Sequence, residues 1–245
     1  MRAPARVGGG RTGAEGGAGG GKGEAGAAER AVAGHVEAGA VLGDICRFAE
    51  QGYSELVVVC WDRHLLLARI SGALAAQGIN ILSADLYQRG DNLVLDIFRV
   101  CNTNFAAVTN KSAKQRVEVA VRDAFLQQGF DFAPAIAASR KALPGFDEVM
   151  DEIPQRVFIN NDISPDQTVA ELQLVDRLGL LYDIFMAIGK LGHNVTHARI
   201  STEKGVAIDA IYIQTANGGK IREKEALEEL KSVLETALLP LPTQT

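Results

Sequence analysis

Tryptophan occurs once, cysteine and methionine three times each and histidine four times in 245 residues. The cysteines Cys46, Cys60 and Cys101 form no CxxC pair and no metal-finger spacing. So sparse and odd a count fits a reducing cytoplasm, where thiols stay free as small buried hydrophobes. Long apolar runs are lacking as well. The strongest, Leu56 to Cys60, is far shorter than the roughly 20 residues needed to span a bilayer. No basic stretch stands out and the formal net charge is −5, which removes electrostatic support for nucleic-acid binding. The N-terminus has no apolar h-region, so no secretory signal is expected. His193 and His197 have the spacing of a helical zinc pair, but they fall on a predicted strand. There they stand roughly 13 Å apart, too far to share a metal. No cofactor and no metal are expected.

What the sequence has is first a Gly/Ala-rich opening: twelve of the 26 glycines precede His35. Residues 1–35 lack the apolar periodicity to bury a face and are expected to be disordered. Residues 36–54 read as weakly helical. The β-branched run Leu56–Cys60 then reads as a strand buried on both faces. From Leu66 to Gln77 apolar residues recur at helical spacing, and Gly78 closes that helix. Ile79–Tyr87 and Leu93–Val100 form a predicted hairpin, and Lys111–Gln128 a second helix. Residues 131–154 hold Pro134, Pro144, Gly145 and Pro154 and read as a linker, with one short helix at Ala135–Ala142. Beyond it come strands at Arg156–Asn161 and Thr168–Val175, and a helix at Gly179–Leu191 closed by Gly192. A second hairpin, Val195–Thr202 with Val206–Gln214, leads to a last helix, Glu223–Leu238. The domains are expected at 50–130 and 155–240.

Trp61–Val100 aligns with Val175–Ile213, with one gap in the hairpin turn. The identical pairs include Asp62/Asp176, Arg63/Arg177, Leu66/Leu180, Leu67/Leu181, Gly78/Gly192, Asn80/Asn194 and Asp96/Asp209. A shared fold alone would keep the apolar pattern, not the polar pairs, so duplication of a functional unit is the better explanation. The fold class expected is α+β: two ferredoxin-like βαββα units with antiparallel sheets.

The repeated Asp-Arg-x-x-Leu-Leu, followed by Gly-x-Asn and a hairpin, resembles the ACT domain family. The run Asp176–Ile184 with Ala198-Arg199-Ile200, Asn160-Asn161, Ser83-Ala84-Asp85 and Asp91–Phe98 resemble the C-terminal regulatory region of bifunctional uridylyltransferase/uridylyl-removing enzymes. The resemblance implies a cytoplasmic glutamine-sensing region that switches such an enzyme between adding UMP to the PII protein and removing it. It also implies separate nucleotidyltransferase and HD-type hydrolase domains as partners. No Gly-Ser motif with paired aspartates and no His-Asp doublet is found here, so no catalytic residue is expected in this chain. A regulatory fragment, a separately encoded subunit or a truncated product is expected. Pairing through ACT sheets gives a possible homodimer.

A loop entering a helix N-terminus offers unpaired N–H groups to a ligand carboxylate, and asparagine suits a zwitterion or a side-chain amide. Facing arrangements in the ACT family imply two composite sites. One joins Asp176, Arg177, Leu178, Gly179, Leu180 and Leu181 with Asn80 and Ile81. The other joins Asp62, Arg63 and the loop to residue 67 with Asn194. Gly179 lets a ligand approach the backbone, whereas His64 and Leu65 replace the usual Pro-Gly and are expected to weaken the second site. Gly179→Leu is expected to abolish ligand binding and leave the fold intact. The competing possibilities are that Asp62 and Asp176 only cap helices, that the asparagines only satisfy turns, and that the whole chain is an interaction module without a ligand.

Overall fold

The computed structural model describes residues 42–48, 52–88, 92–127, 129–141, 155–203 and 206–237. The Gly-rich opening lies outside them. The first described element is a strand, β1 (Leu42–Phe48), which pairs antiparallel with β2 (Tyr53–Trp61). The weak helix expected at 36–54 is therefore overturned from residue 42 onward. Gly43 and Asp44 break the apolar pattern of this segment, while the long edge of β2 beside it supplies backbone partners that no local pattern reveals. There follow α1 (Leu66–Ala76), β3 (Ile79–Gln88), β4 (Leu93–Asn102) and α2 (Lys111–Leu126). Gly78 takes φ +69° just past α1, and its N–H donates to the carbonyl of Ala75, as expected of a glycine that closes a helix. The sheet order is β1-β2-β4-β3.

The second unit repeats this plan. Strands β5 (Arg156–Asn160) and β6 (Thr168–Val175) precede α4 (Leu180–Lys190). Then come β7 (Asn194–Arg199), the short β8 (Thr202–Glu203), β9 (Val206–Gln214) and α5 (Lys224–Ala237). The order is β5-β6-β9-β7, with β8 paired to β9. Both sheets are antiparallel, and each unit is the expected ferredoxin-like α+β fold with a further edge strand ahead of it. Even the irregularities repeat. The register slips between Ile81 and Ser83 in β3 and between Val195 and His197 in β7, the same place in each unit.

Alternation along the strands sends Leu56 and Val58 of β2 and Val94, Phe98 and Val100 of β4 into the core, with Ala170, Leu172, Leu174, Ile211 and Ile213 in the second unit. Strand β2 is buried on both faces only toward its end, where Val58, Val59 and Cys60 are all buried. Nearer its start Leu56 is buried, while Glu55 and Val57 on either side of it are only half-buried. The buried side chains of the two units form one continuous cluster, because α1 packs on α4 and the edge strands β3 and β7 lie against each other. Gly72 makes the helix contact possible: a Cβ there would stand 2.4 Å from the Phe132 ring and 2.7 Å from the Tyr182 ring.

Between the units the chain forms α3 (Ala133–Lys141), close to the short helix expected. It packs on α1 with Ile136 buried. Its Arg140 donates from Nε to the carbonyl of Leu178 at 2.7 Å and ion-pairs with Asp183 at 3.2 Å. This part of the stretch read as linker is thus built into the second unit's loop. Cys60 and Cys101 are buried free thiols at opposite ends of β2 and β4. Burial pushes them up to about 12 and about 11, so they stay protonated.

Candidate functional site

The two Asp-Arg-x-x-Leu-Leu segments form equivalent turns at the start of α1 and α4. In both turns the residue before the helix is left-handed: Leu65 with φ 61° and Gly179 with φ 80°. Neither helix start carries a side-chain cap. Asp62 instead accepts a hydrogen bond from Gln88 Nε2 at 3.0 Å, and Asp176 accepts one from Asn80 Nδ2 at 2.9 Å. The aspartates thus face across to other elements. The arginines have a different task. Arg63 donates to the carbonyl of Phe125 at the end of α2, and Arg177 Nη2 to that of Ala237 at the end of α5, at 2.9 Å. Each ties its loop to the exposed carbonyls of its unit's last helix. Leu66, Leu178, Leu180 and Leu181 are buried and contribute packing.

Each turn meets the other unit's Gly-x-Asn strand start, and the two meetings differ. Around Asp176, Arg177, Gly179, Leu180, Leu181, Asn80 and Ile81 the space left is about 20 Å³, room for about one water. The Asn80–Asp176 bond spans it. From outside, α3 closes on the loop: a Cβ on Gly179 would lie 2.7 Å from Ile136 Cγ2 and 3.0 Å from Arg140 Nη2. Gly179→Leu is therefore not neutral to the fold as the sequence implied, because the glycine makes room for α3.

Around Asp62, Arg63, residues 64–67 and Asn194 lies a cavity of about 280 Å³, near the lower end of small-molecule sites at about 300 Å³. Gln88, Asp96, Phe185 and His193 also line it. The side chain of Leu65 lies against α4, where a Cβ on Gly189 would fall 2.0 Å from Leu65 Cδ2. The missing glycine in the first loop is thus matched by a glycine on the facing helix. Sequence reasoning weighed the loop without its neighbour.

Two buried carboxyls complete the picture. Asp96 is 1% exposed and Asp209 3% exposed, each on the helix-covered face of its sheet. Burial pushes Asp96 up to about 8, with the Asp62 charge adding to the push. Asp209 is pushed up to about 7 by burial and by Asp176, against a hydrogen bond from the Ser201 N–H. Asp62 and Asp176 are also raised by burial, each eased by its hydrogen bonds. His193 is lowered by burial and is neutral at pH 7. The pair Asp96/Asp209 was visible among the identities of the repeat, but the sequence alone gave it no role. Among the described residues no cluster of His, Cys, Asp and Glu is arranged to hold a metal.

Residues 156–242 match the family described as ACR9-like, ACT-like domain. The first unit repeats the strand order of that matched segment. The chain resembles the C-terminal region of bifunctional uridylyltransferase/uridylyl-removing enzymes. It is 31% identical over 191 residues to that of Rhodospirillum rubrum, covering 77% of this chain and 20% of the relative. To that of Gluconobacter oxydans it is 29% identical over 201 residues, covering 80% and 20%. The chain spans about a fifth of the length of these relatives. The solved regulatory subunit of aspartate kinase from Thermus thermophilus overlaps 81% of this chain and 97% of its own. That match has 17% identity and a TM-score of 0.23, too loose to bear on the site.

Proposed function

We propose that this chain is an amino-acid-sensing regulatory module, with glutamine as the favoured ligand, seated in the cavity between Asp62–Leu67 and Asn194. The observation that carries this is the cavity's position. Its walls come from both units, so a ligand there bears on their arrangement. The first turn of α1 supplies N–H groups that have no helical acceptor, which suit a ligand carboxylate, while Asn194 and Gln88 suit an amide. The site of residues 176–181 with Asn80 is the related second site, held closed by α3. A ligand that prefers one arrangement of the units shifts the population toward it. In a longer cytoplasmic enzyme resembling the relatives, that shift would reach catalytic domains acting on PII. Calorimetric titration with glutamine, against glutamate, serine and asparagine, tests this. Saturable heat selective for glutamine is expected, and no heat from a folded sample overturns it.

The exposed face of the second sheet favours a second reading. Phe158 of β5 and Ile208 of β9 point to the same side, 57% and 52% exposed. A module without a ligand would dock another domain or a second copy there. Self-association lost on Phe158→Ser and Ile208→Ser, with no glutamine heat, would establish that alternative.

A further inference from the structure

We propose that Asp96, with Asp62 beside it, is the receptor for an ammonium group, so that the cavity at the start of α1 takes a small molecule bearing a protonated amine. The proposal deepens the amino-acid reading and rests on that cavity being a small-molecule site.

Asp96 sits where a carboxyl is least at home. Along β4 its inward neighbours are Val94 and Phe98, and across the ladder it stands opposite Val58. Its Oδ2 is buried with no hydrogen-bond partner, yet the residue lines the cavity. An unpartnered buried polar atom costs about 1–3 kcal/mol. The second unit keeps the same feature: Asp209 stands on the inner face, with Oδ1 accepting from the Ser201 N–H at 3.2 Å and Oδ2 unpartnered. The same costly group at one position of both repeats is poorly explained by packing and well explained by a missing cationic partner.

Among the described residues no side chain donates a hydrogen bond to Asp96 Oδ2. The groups facing Asp96 are Cys60 of β2, Asp62, Arg63 and His64 of the loop, Gln88 of β3 and His193 ahead of β7. The Arg63 guanidinium is committed to the carbonyl of Phe125. His193 is neutral at pH 7, Cys60 stays a thiol, and Gln88 carries no charge. Asp62 adds a second negative group, so the pocket gains most from a positive one. An ammonium entering it donates to Asp96 Oδ2. The α1 N-terminus on the same wall receives an anionic group of the same molecule.

Binding then moves a proton. With the cavity empty, Asp96 is protonated at pH 7; paired with an ammonium it is ionised. The carboxyl O–H breaks, its proton goes to the buffer, and an N–H···O bond forms. Affinity therefore climbs by up to about tenfold per pH unit between pH 6 and 8, until the ligand's own ammonium begins to lose its proton.

The test is calorimetry on the full chain at pH 7 in phosphate and in Tris, whose ionisation heats differ. The probes are glutamine, glutaramic acid (glutamine without its amine) and 4-aminobutanamide (glutamine without its carboxylate). Glutamine is expected to bind with close to one proton released, and glutaramic acid at least about 100-fold more weakly. Asp96→Asn, which keeps the neutral shape of the empty site, should unfold at pH 7 at a temperature no lower than the parent's, because asparagine gains no charge on unfolding. It should bind glutamine at least about 30-fold more weakly and release no proton. Equal binding of glutaramic acid, or unchanged binding by the Asn variant, overturns the ammonium receptor and leaves a small-molecule site standing. Binding of 4-aminobutanamide without glutamine keeps the receptor and overturns the glutamine reading. Heat from neither amine overturns both. The probe series uses the parent chain, so a misfolded variant does not remove the test.

Discussion

Asp96 and Asp209 are protonated in the folded chain at pH values where an unfolded aspartate is ionised. Their folded pKa values, about 8 and about 7, lie above the ordinary 3.8. Between those limits the native state holds more protons than the unfolded one. The stabilisation is full below pH ~4 and is lost as pH rises through the folded values, at up to about 1.4 kcal/mol per pH unit for each carboxyl. Urea denaturation of the ligand-free chain should show stability falling from pH 5 to pH 8, with a shallower fall in Asp96→Asn. Stability rising over that interval would contradict the assignment. Gly189→Ala tests the other unusual residue, Leu65. Alanine in the helix returns about 1 kcal/mol, but its Cβ displaces Leu65 Cδ2. Thermal stability should therefore change little, while glutamine affinity drops at least about tenfold.

Helix α3 and strand β1 show where pattern reading stops. The period-2 and period-3.6 signals of β2, α1, β3, β4 and α4 are strong because each has a dry face, and the glycines at 78 and 192 mark the helix ends. Strand β1 owes its state to the edge of β2, and α3 to a contact 38 residues away at Leu178. Neither partner is local. The same limit hides how the two turns differ in the room around them. Leu65 looked obstructive because Gly189 lies far along the chain, and Gly179 looked open because Arg140 does. Two predictions follow from these packings. Arg140→Ala frees the loop of α4 from α3 and should raise the calorimetric stoichiometry from one glutamine per chain toward two; a value fixed at one would show that α3 does not hold the second site shut. Gly72→Ala forces a Cβ against the rings of Phe132 and Tyr182, which meet edge to face at 5.9 Å. Overpacking of this kind costs about 1–3 kcal/mol, more than the helix gains, so the urea midpoint should fall with the denaturant slope unchanged.

Taken whole, the described chain is two copies of one unit joined through α1 and α4, and the cavity beside Asp62 in their seam is larger than the one beside Gly179. Duplication was legible because polar identities such as Asp62/Asp176 and Asn80/Asn194 survive in it. The divergence of the two sites was not, because one is set by a glycine on the facing helix and the other by α3. A sensor built this way needs its ligand in the seam, where it touches both units. The most direct test is to follow backbone amide signals of the 15N-labelled chain as glutamine is added. Saturable movement should centre on Leu66, Leu67 and Ala68 on one wall and on His193 and Asn194 on the other. Movement confined to the exposed face around Phe158 and Ile208, or none at all, would contradict a ligand in the seam.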